Sequence, residues 1–576
     1  MNNNQYLKLS EDGKTLIRCD KSASGEVVIP NGVYEIGNLA FEKCINITSI
    51  KLPASVTKIE GWVFQGCTSL TSIKIPSGVT EIRRSAFRDC TSLTSIEIPS
   101  SVTKIGGGVF WGCTSLTSIK IPKGVTKIGD SAFLDCTSLT SVEIPSGVTE
   151  IELKVFEGCT SLTSAEIPSG VTKIGNSAFL GCKSLTAVEI PSSVTEIDIT
   201  SFFCCTGIKR FVVDKDNPNY CSINGALCSK DMSLLIKVPC GIESFIIPSS
   251  VTEIGSSAFA GCTSLTSIEI PGSITEIGSR AFEGCIRLTS IEIPGSITKI
   301  GNYAFERCTS LTSIEIPGSI TKIGDYAFEG CTSLTSIEIP SGVTEIGGYA
   351  FSGCSSLTSI TIPESVSKIE LSAFQDSTGI KKYIVDKNNL CYCSIDGALY
   401  TKDMKKLVRV PSGIESFCIP SSVTEIGDSA FKGCTSLISI EIPTSVTVIG
   451  EYAFSGCSSL ISIEIPNSVT VIGQQVFLNC KNLISVVIPE SVTQTGACVF
   501  IDCTSLTKLH LRHKTPINLL NCFAKLDVSK ISLYVPIGSG DDYRHHPFYS
   551  EFAEVIEESD EQCRMATRDI DTNTLF

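Results

Sequence analysis

The sequence predicts a repeat solenoid rather than a row of globular domains. Three observations support this prediction: a 23-residue period over most of the chain, one cysteine at the same place in most periods, and one phenylalanine three residues before it. Periods of roughly 20–50 residues are typical of stacked coils that cannot cover their own apolar faces singly. Length alone, 576 residues at about 150 per domain, would suggest three to four domains.

The cysteine column defines the period. Seventeen of the 28 cysteines occupy it, and Ser377 stands where an eighteenth would fall. Its members are Cys44, Cys67, Cys90, Cys113, Cys136, Cys159, Cys182, Cys205, Cys262, Cys285, Cys308, Cys331, Cys354, Cys434, Cys457, Cys480 and Cys503. We interpret the column as buried reduced thiols, because no C-x-x-C pair occurs and buried free cysteine behaves as a small apolar residue. Disulfides remain an alternative, mainly at Cys221, Cys228, Cys391 and Cys393, which the sequence predicts to be exposed.

The phenylalanine column predicts the core. Eighteen of the 26 phenylalanines belong to it, from Phe41 to Phe500. Stacked in successive coils they form one spine, in which each ring contributes roughly 2–3 kcal/mol by burial. We interpret these rings as core and not as a ligand cage.

One complete coil, Cys90–Gly112, shows the expected elements. Leu93–Ile98 alternates apolar and polar residues, which is typical of a short strand, and Pro99 removes a backbone donor and ends it. Thr103–Ile105 is a candidate for a second extended piece. The following Val109-Phe110 pair is expected on a loop or a single helical turn.

The pattern Leu-x-x-Ile-x-Ile-Pro-x-x-Val-x-x-Ile-Gly-x-x-Ala-Phe-x-x-Cys resembles the BspA-like class of leucine-rich repeats over about residues 15–555. The resemblance implies a leucine-rich repeat solenoid, a curved right-handed coil with a parallel β-sheet on its concave face and short strands and turns elsewhere. It also implies a surface antigen or adhesin that binds extracellular matrix or cell-surface proteins. The adhesion inference rests on analogy alone.

Two inserts interrupt the period. The intervals Cys205–Cys262 and Ser377–Cys434 each span 57 residues, one repeat plus 34 extra (57 − 23), and are copies at an offset of 172. Turn dipeptides recur in both, at Asn224-Gly225, Lys230-Asp231, Asp396-Gly397 and Lys402-Asp403. We predict two β-hairpin-like inserts or small meanders that keep the solenoid continuous. Each is either an ornament or a lateral contact surface.

The ends are predicted to be capped. Leu9–Leu16 resembles the insert segment Ser394–Leu399 and is expected to close the first coil, while Ile531–Ser539 resembles the terminal cap of the family. The predicted organisation is a cap and first coil (1–43), an array (44–205), an insert coil (206–261), an array (262–376), a second insert coil (377–433), an array (434–510), a C-terminal cap (511–556) and a polar, flexible tail (557–576).

The outward strand position, seven residues after the cysteine, is the candidate binding ladder. It carries ten glutamates: Glu97, Glu143, Glu166, Glu189, Glu269, Glu292, Glu315, Glu338, Glu441 and Glu464. Serine usually lies two residues earlier, so ladders of carboxylates and hydroxyls about 4.8 Å apart are expected on the concave face. The clearest feature of this ladder is the run of four glutamates in consecutive coils, Glu269, Glu292, Glu315 and Glu338. The run is either a docking stripe for a basic partner or cations, or a solvated face that repeat copying has propagated.

No catalytic constellation emerges. The four histidines, His510, His513, His545 and His546, all lie near the C-terminus and are predicted to be surface residues, so no metal site is expected. Nucleophile-elbow and phosphate-loop motifs are absent, and the array has no histidine to activate a nucleophile. We therefore predict a protein that is not an enzyme and needs no cofactor.

Charge and termini limit the partners. A net charge of −14 with no run of lysine and arginine argues against nucleic acid. The start lacks a signal-peptide core and no apolar stretch could span a membrane, which taken literally predicts a cytoplasmic chain; the family resemblance predicts a secreted or cell-surface one. The preferred hypothesis is a non-catalytic, adhesive protein-binding solenoid, and the alternative is an intracellular scaffold.

Overall fold

The protein is a parallel-strand β-solenoid of about 23 turns with little helix. The computed structural model describes residues 3–370, 372–523, 526–559 and 561–562. The chain divides into two compact units, Met1–Leu288 (unit 1) and Thr289–Phe576 (unit 2). The predicted leucine-rich repeat solenoid is confirmed.

Each regular coil contributes two short strands, as the sequence predicted. The first, such as Ser95–Glu97, pairs in parallel with the same segment of a neighbouring coil, here Ser72–Lys74 of the preceding one, and we call this series the serine–glutamate ladder. The second, such as Lys104–Ile105, forms a separate parallel series, the isoleucine ladder. In both ladders the register advances by one repeat, so equivalent residues face each other.

In unit 1 the serine–glutamate ladder comprises Ser24–Val28, Asn46–Lys51, Ser72–Lys74, Ser95–Glu97, Ser118–Ile119, Ser141–Glu143, Ser164–Glu166, Ala187–Ile190, Arg210–Val213, Ser244–Ile246 and Ser267–Glu269. The isoleucine ladder comprises Thr15–Cys19, Glu35–Ile36, Lys58–Ile59, Glu81–Ile82, Lys104–Ile105, Lys127–Ile128, Glu150–Ile151, Lys173–Ile174, Glu196–Ile197, Leu234–Lys237, Glu253–Ile254 and Glu276–Ile277.

In unit 2 the serine–glutamate ladder comprises Ser290–Glu292, Ser313–Glu315, Ser336–Glu338, Ser359–Ile362, Lys382–Val385, Ser462–Glu464, Ser485–Ile488, Lys508–Leu511, Ser532–Pro536 and Glu554–Glu558. The isoleucine ladder comprises Lys299–Ile300, Lys322–Ile323, Glu345–Ile346, Lys368–Ile369, Lys406–Arg409, Glu425–Ile426, Val448–Ile449, Val471–Ile472 and Gln494–Thr495. Between Lys382–Val385 and Ser462–Glu464, Cys418 and Glu441 form a single parallel bridge.

The core lies between the two ladders and the loop that carries the Ala-Phe pair. The phenylalanine rings stack face to face, as between Phe64 and Phe87, whose centroids are 5.0 Å apart, and between Phe305 and Phe328 at 5.4 Å. The loop is a series of turns without a helix: the Phe87 N–H donates to the carbonyl of Val109 in the next coil at 2.9 Å. The predicted spine is therefore the centre of both units.

The cysteine column lines this core. The Sγ of Cys67 donates to the Phe41 carbonyl oxygen at 3.1 Å, and Ser377, where a cysteine is replaced, donates its Oγ to the Phe351 carbonyl in the same way. Burial raises the pKa of the Cys67 thiol to about 12, so the thiol stays protonated at neutral pH.

Two predictions about the cysteines are wrong. Cys262 is not a free thiol: it forms a disulfide with Cys240, a residue of the first insert that lies next to it. Cys228 was expected to be exposed, but its strand, Ala226–Ser229, is the middle one of three, and the side chain is fully buried. Cys221, Cys391 and Cys393 are partly exposed.

Both inserts are antiparallel meanders. In unit 1 the strands Tyr220–Ile223, Ala226–Ser229 and Leu234–Lys237 pair in that order, and the last one joins the isoleucine ladder. In unit 2 the equivalent strands are Tyr392–Ile395, Ala398–Thr401 and Lys406–Arg409. The predicted turns are present: Asn224 and Gly225 adopt φ of 51° and 79°, the left-handed region that a tight hairpin requires.

The N-terminal segment closes the first coil as predicted. However, the predicted equivalence between this segment and the first turn of the insert is wrong, because the segment matches the second turn. After the 3₁₀ turn Asn3–Tyr6, Leu7–Leu9 pairs antiparallel with Thr15–Cys19. The Thr15 N–H donates to Ser10 Oγ at 2.9 Å, and the Leu234 N–H donates to Ser229 Oγ at 3.0 Å. Ser10–Leu16 is therefore equivalent to Ser229–Leu235, the second turn of the insert rather than the first.

The C-terminal cap contains two 3₁₀ turns, Leu520–Phe523 and Val528–Lys530, the short helix Gly540–Arg544, a further turn Tyr549–Glu551 and the edge strand Glu554–Glu558. The predicted tail boundary is wrong for its first two residues, because Glu557 and Glu558 pair with Val535 and Pro536. Of the remaining predicted tail, residue 560 and residues 563–576 lie outside the described residues.

Candidate interaction face

The outward side chains of the serine–glutamate ladder form the candidate site. Ile96 is almost completely buried, whereas Ser95 and Glu97 on either side of it are exposed, because successive strand residues point to opposite faces. All ten predicted glutamates are exposed. The sequence pattern therefore predicted which side of the strands these residues occupy, and we call this surface the serine–glutamate face.

The backbone register determines what each glutamate faces. Glu143 is in register with Glu166 in unit 1, and Glu292, Glu315 and Glu338 follow one another in unit 2. The other five pair as follows: Glu97 with Lys74, Glu189 with Val212, Glu269 with Ile246, Glu441 with Cys418, and Glu464 with Val487. Of the four glutamates expected in one row, three are consecutive in unit 2, and Glu269 belongs to unit 1.

The glutamates differ in their partners. The Lys74 Nζ lies 3.1 Å from Glu97 Oε1, so this carboxylate is neutralised by the preceding coil. Across the described part of the chain, no ion pair reaches Glu292, Glu315 or Glu338. Three carboxylates at strand spacing thus share one edge of the face without a compensating cation.

Hydroxyl groups of the face fall into two classes. The threonines that precede the strands are bonded within the solenoid: the Oγ1 of Thr140 donates to the Thr117 carbonyl at 3.1 Å, and that of Thr335 donates to the Thr312 carbonyl at 3.2 Å. Most serines two residues before the glutamates, such as Ser313, are exposed, whereas Ser462 is buried. The serine hydroxyls are therefore the ones that face solvent beside the carboxylates.

Exposed apolar residues adjoin the acidic ones, which sequence reasoning missed. Val212 and Ile246 are in register with Glu189 and Glu269 and are 41% and 63% exposed; Ile384, next to Thr361, is 39% exposed. All three lie at an insert, where the repeat consensus no longer applies. An alignment of the insert strands to the glutamate column would have identified them.

The prediction of surface histidines is wrong for two of the four. His510 occupies the glutamate position of the strand Lys508–Leu511 but is buried, with its Nδ1 2.7 Å from Glu558 Oε1 and its ring stacked on Tyr534. His513 is also buried. The reason is the edge strand Glu554–Glu558, which brings a carboxylate 48 residues further along the chain against His510.

The described ranges hold neither a metal cluster nor a membrane-spanning helix. Within them, no three His, Cys, Asp or Glu side chains are grouped so that they could hold a metal ion. No helix there is long and apolar enough to cross a membrane.

The repeat that builds this face matches a known family. The model of the BspA-type leucine-rich repeat region covers residues 19–139, 106–222, 238–337, 300–398 and 410–528. The chain belongs to the BspA-type leucine-rich repeat family. Members of this family are in general protein-interaction and surface proteins, and are typically non-catalytic.

Several solved structures are similar to this BspA-type chain. A leucine-rich cell-surface protein of Faecalibacterium prausnitzii is 31% identical, with 66% of this chain and 92% of that one covered and a TM-score of 0.47. The leucine-rich repeat protein of T. pallidum is 37% identical over 31% of this chain and 86% of its own, with a TM-score of 0.29. One from Eubacterium ventriosum is 22% identical over 79% and 94%, with a TM-score of 0.41. No protein of curated function matches the chain.

Proposed function

We propose that this BspA-type protein is a non-catalytic binding solenoid whose serine–glutamate face docks a protein partner with a basic surface. The observation that carries the proposal is the row Glu292, Glu315 and Glu338, which is exposed, in register and without ion-pair partners among the described residues. Repeat solenoids commonly bind partners along the surface that their stacked strands create.

The electrostatics of the row favour a cationic partner. Two carboxylates separated by the strand spacing of about 4.8 Å repel each other by roughly 1 kcal/mol in water. Lysine or arginine side chains of a partner relieve this repulsion and steer the approach, since opposite charges mainly raise the association rate. Binding of a cationic partner therefore removes the repulsion between the carboxylates that destabilises the free protein.

Apolar residues supply the second part of the proposed interface. Stable protein interfaces combine a desolvated apolar centre with a polar rim. The exposed Ile384, in register with Thr361, lies two strands beyond Glu338 on the same ladder of unit 2. A partner that follows the ladder from Glu292 to Ile384 meets carboxylates, hydroxyls and then an apolar side chain.

The binding test uses a panel of purified extracellular matrix proteins immobilised on sensor surfaces. The variant Glu292→Lys/Glu315→Lys/Glu338→Lys should abolish binding of any panel member that the wild-type protein binds at low salt. The control, Glu364→Lys/Glu490→Lys/Asp502→Lys, makes the same charge change at exposed turn residues and should retain binding. Equal losses in both variants, or none in either, would reject the serine–glutamate face as the site.

Adhesion at the cell surface is the specific role we propose. The alternative is an intracellular scaffold. The cysteine column favours it, since among the described residues the column thiols other than Cys262 form no disulfide and suit a reducing compartment. Fractionation of producing cells, together with a count of thiols in the denatured protein, separates the two. Surface-exposed protein supports adhesion, and protein confined to the cytoplasm supports the scaffold.

A further inference from the structure

A groove of about 570 Å³ crosses the loops of unit 1, away from the serine–glutamate face. Both tryptophans of the chain, Trp62 and Trp111, line it. We propose that this groove binds a saccharide whose pyranose ring bears a carboxylate. Its volume lies within the range of roughly 300–1,000 Å³ that is usual for small-molecule sites.

The groove arises at one corner of the coil, five residues before the cysteine position. This corner residue has a left-handed backbone in Trp62, Ser85, Gly108 and Ser131, with φ between 55° and 63°. Consecutive corners are tied together: the Ser85 N–H donates to the Gly107 carbonyl at 2.9 Å. The backbone of each corner is therefore fixed relative to the next one.

Small residues at three consecutive corners open the groove. Ser85, Gly108 and Ser131 carry little or no side chain, whereas the larger side chains of Trp62 and Leu153 line the two ends. The ends are four coil spacings apart, or about 19 Å at the usual strand spacing. In unit 2 the same corner holds Tyr303, Tyr326 and Tyr349, whose rings stack 4.6 and 4.8 Å apart and fill it.

The Gly108 position keeps the floor flat. A Cβ there would lie 3.1 Å from Ser85 Oγ. The lining there consists of the glycine backbone at Gly107 and Gly108 and the half-buried Ser131, and the Ser85 side chain is buried. Such a surface accepts a ring and its hydroxyl groups closely.

One wall carries a preorganised cation. The Arg88 guanidinium lies over the Trp111 ring, 3.7 Å from its centroid, and its Nε is 3.4 Å from Asp89 Oδ2. Stacking fixes the plane of the guanidinium while leaving its outer edge available, the edge that binds carboxylates in bidentate fashion. Arg84, also in the lining, is exposed and has no ion-pair partner in the described ranges.

The remaining charges select against other ligands. Lys127 is paired with Glu152 at 3.2 Å, and Asp130 is exposed in the lining. These carboxylates repel a polyanion such as a nucleotide but accept hydrogen bonds from sugar hydroxyls. A saccharide ring can stack on Trp62, its hydroxyl groups can bond to Ser131 and Asp130, and its carboxylate can pair with Arg84 and Arg88. This combination fits an acidic saccharide.

The tryptophans themselves report on the site. Because they are the only two in the chain, tryptophan emission can be followed during titration with 3′-sialyllactose and with digalacturonate. We expect a saturable change with at least one of them, and binding of lactose weaker by about tenfold, the worth of one charge-assisted contact. No saturable change with either acid, or equal binding of lactose, would overturn the proposal.

Two variants test the geometry. Trp62→Ala removes one ring wall and should abolish the response to the acidic saccharide. Ser131→Tyr introduces the residue that the chain carries at the equivalent corner, Tyr326, where the backbone has the same left-handed conformation. The tyrosine side chain fills the groove, so this variant should abolish binding without unfolding the coil. Arg84→Gln should reduce the preference for the acid over lactose. Wild-type affinity in Trp62→Ala and Ser131→Tyr would contradict the site.

Discussion

The ammonium group of Lys237 lies 2.9 Å from the carbonyl oxygen of Ala260 and 3.0 Å from that of Ser257, fully inside the solenoid. In a regular coil the equivalent carbonyl accepts a hydrogen bond from the loop of the preceding coil; for example, the Trp111 carbonyl accepts from the Asp89 N–H at 2.7 Å. The first insert lacks the loop that carries this N–H. The lysine side chain supplies the missing donor. In the second insert Arg409 donates to Lys432 and Ser429 in the same way.

Removal of this donor is expected to destabilise unit 1. Lys237→Met leaves the buried Ala260 carbonyl without a donor, whereas the Ser257 carbonyl still accepts the Ala260 N–H at 3.1 Å. One unsatisfied buried carbonyl costs about 1–3 kcal/mol of unfolding free energy. Lys237→Arg copies the second insert and should retain most of the stability. Urea unfolding followed by circular dichroism measures both variants. Equal midpoints for Lys237→Met and the wild type would show that the Ala260 carbonyl finds another donor.

The Cys240–Cys262 disulfide is expected to pin the first insert to the coil that follows it. It closes a segment with a sequence separation of 22 residues, for which loop-closure entropy predicts a stabilisation of about 3 kcal/mol. Cys240→Ser reproduces Ser412 of the second insert and should lower the melting temperature.

A reductant separates this effect from a local packing change. It should lower the wild-type melting temperature to that of Cys240→Ser and leave the variant unchanged. Thiol blocking before and after reduction, with peptide mass spectrometry, identifies the bridge. A wild-type protein in which both cysteines react with the blocking agent before reduction would contradict the assignment.

The cysteine column is expected to make the protein sensitive to alkali. Burial raises the pKa of the Cys67, Cys159 and Cys354 thiols to about 12, above the ordinary thiol value of 9.0. The folded state therefore holds these protons where the unfolded state has released them. The stabilisation is complete below pH 9 and is lost as the pH rises through 12, at up to about 1.4 kcal/mol per pH unit for each thiol.

Urea midpoints measured from pH 7 to pH 11 test this dependence. They should be constant to about pH 8 and fall steeply above 9. Burial lowers the pKa of Lys237 to about 8, which acts in the opposite direction but involves a single proton. Cys67→Ser/Cys159→Ser/Cys354→Ser, which copies the residue that the chain itself uses at Ser377, should flatten the fall. A midpoint that stays constant to pH 11 would show that the column thiols do not titrate on unfolding.

The phenylalanine spine is expected to be the main source of stability. Phe110 stacks between Phe87 and Phe133, at centroid distances of 5.8 and 5.3 Å, and is fully buried. Phe110→Ala should cost about 3–5 kcal/mol through lost burial and the cavity left behind. Phe110→Leu, which keeps most of the volume, should cost less than half as much in the same urea experiment. Equal losses would point to a role for the ring other than packing.

The regular coils could be predicted from the sequence because every coil repeats the same alternation of apolar and polar residues. A residue such as Ile96 faces inward and Glu97 outward in any strand of that pattern, and stacking aligns them with the next coil. What could not be predicted depends on pairs that break the period. His510 is buried by Glu558, and Cys262 is bonded to Cys240, because the cap and the insert bring in residues that belong to no column.

The groove is a feature that a closer sequence comparison could have found. Trp62 and Trp111 are 49 residues apart in sequence (111 − 62) and line the same groove. They occupy two different columns, five and two residues before the cysteine, so no single column reveals them. Only the two columns together, with the small residues Ser85 and Gly108 between the tryptophans, indicate an opening.

The position of a bound partner tests the central claim most directly. Carbodiimide labelling of carboxylates with glycine ethyl ester, read by mass spectrometry, should be compared for the free protein and its complex with a matrix protein from the panel. We predict that Glu292, Glu315 and Glu338 lose labelling in the complex while Glu364 and Glu490 do not. Full labelling of the three row glutamates in a saturated complex would contradict docking on the serine–glutamate face.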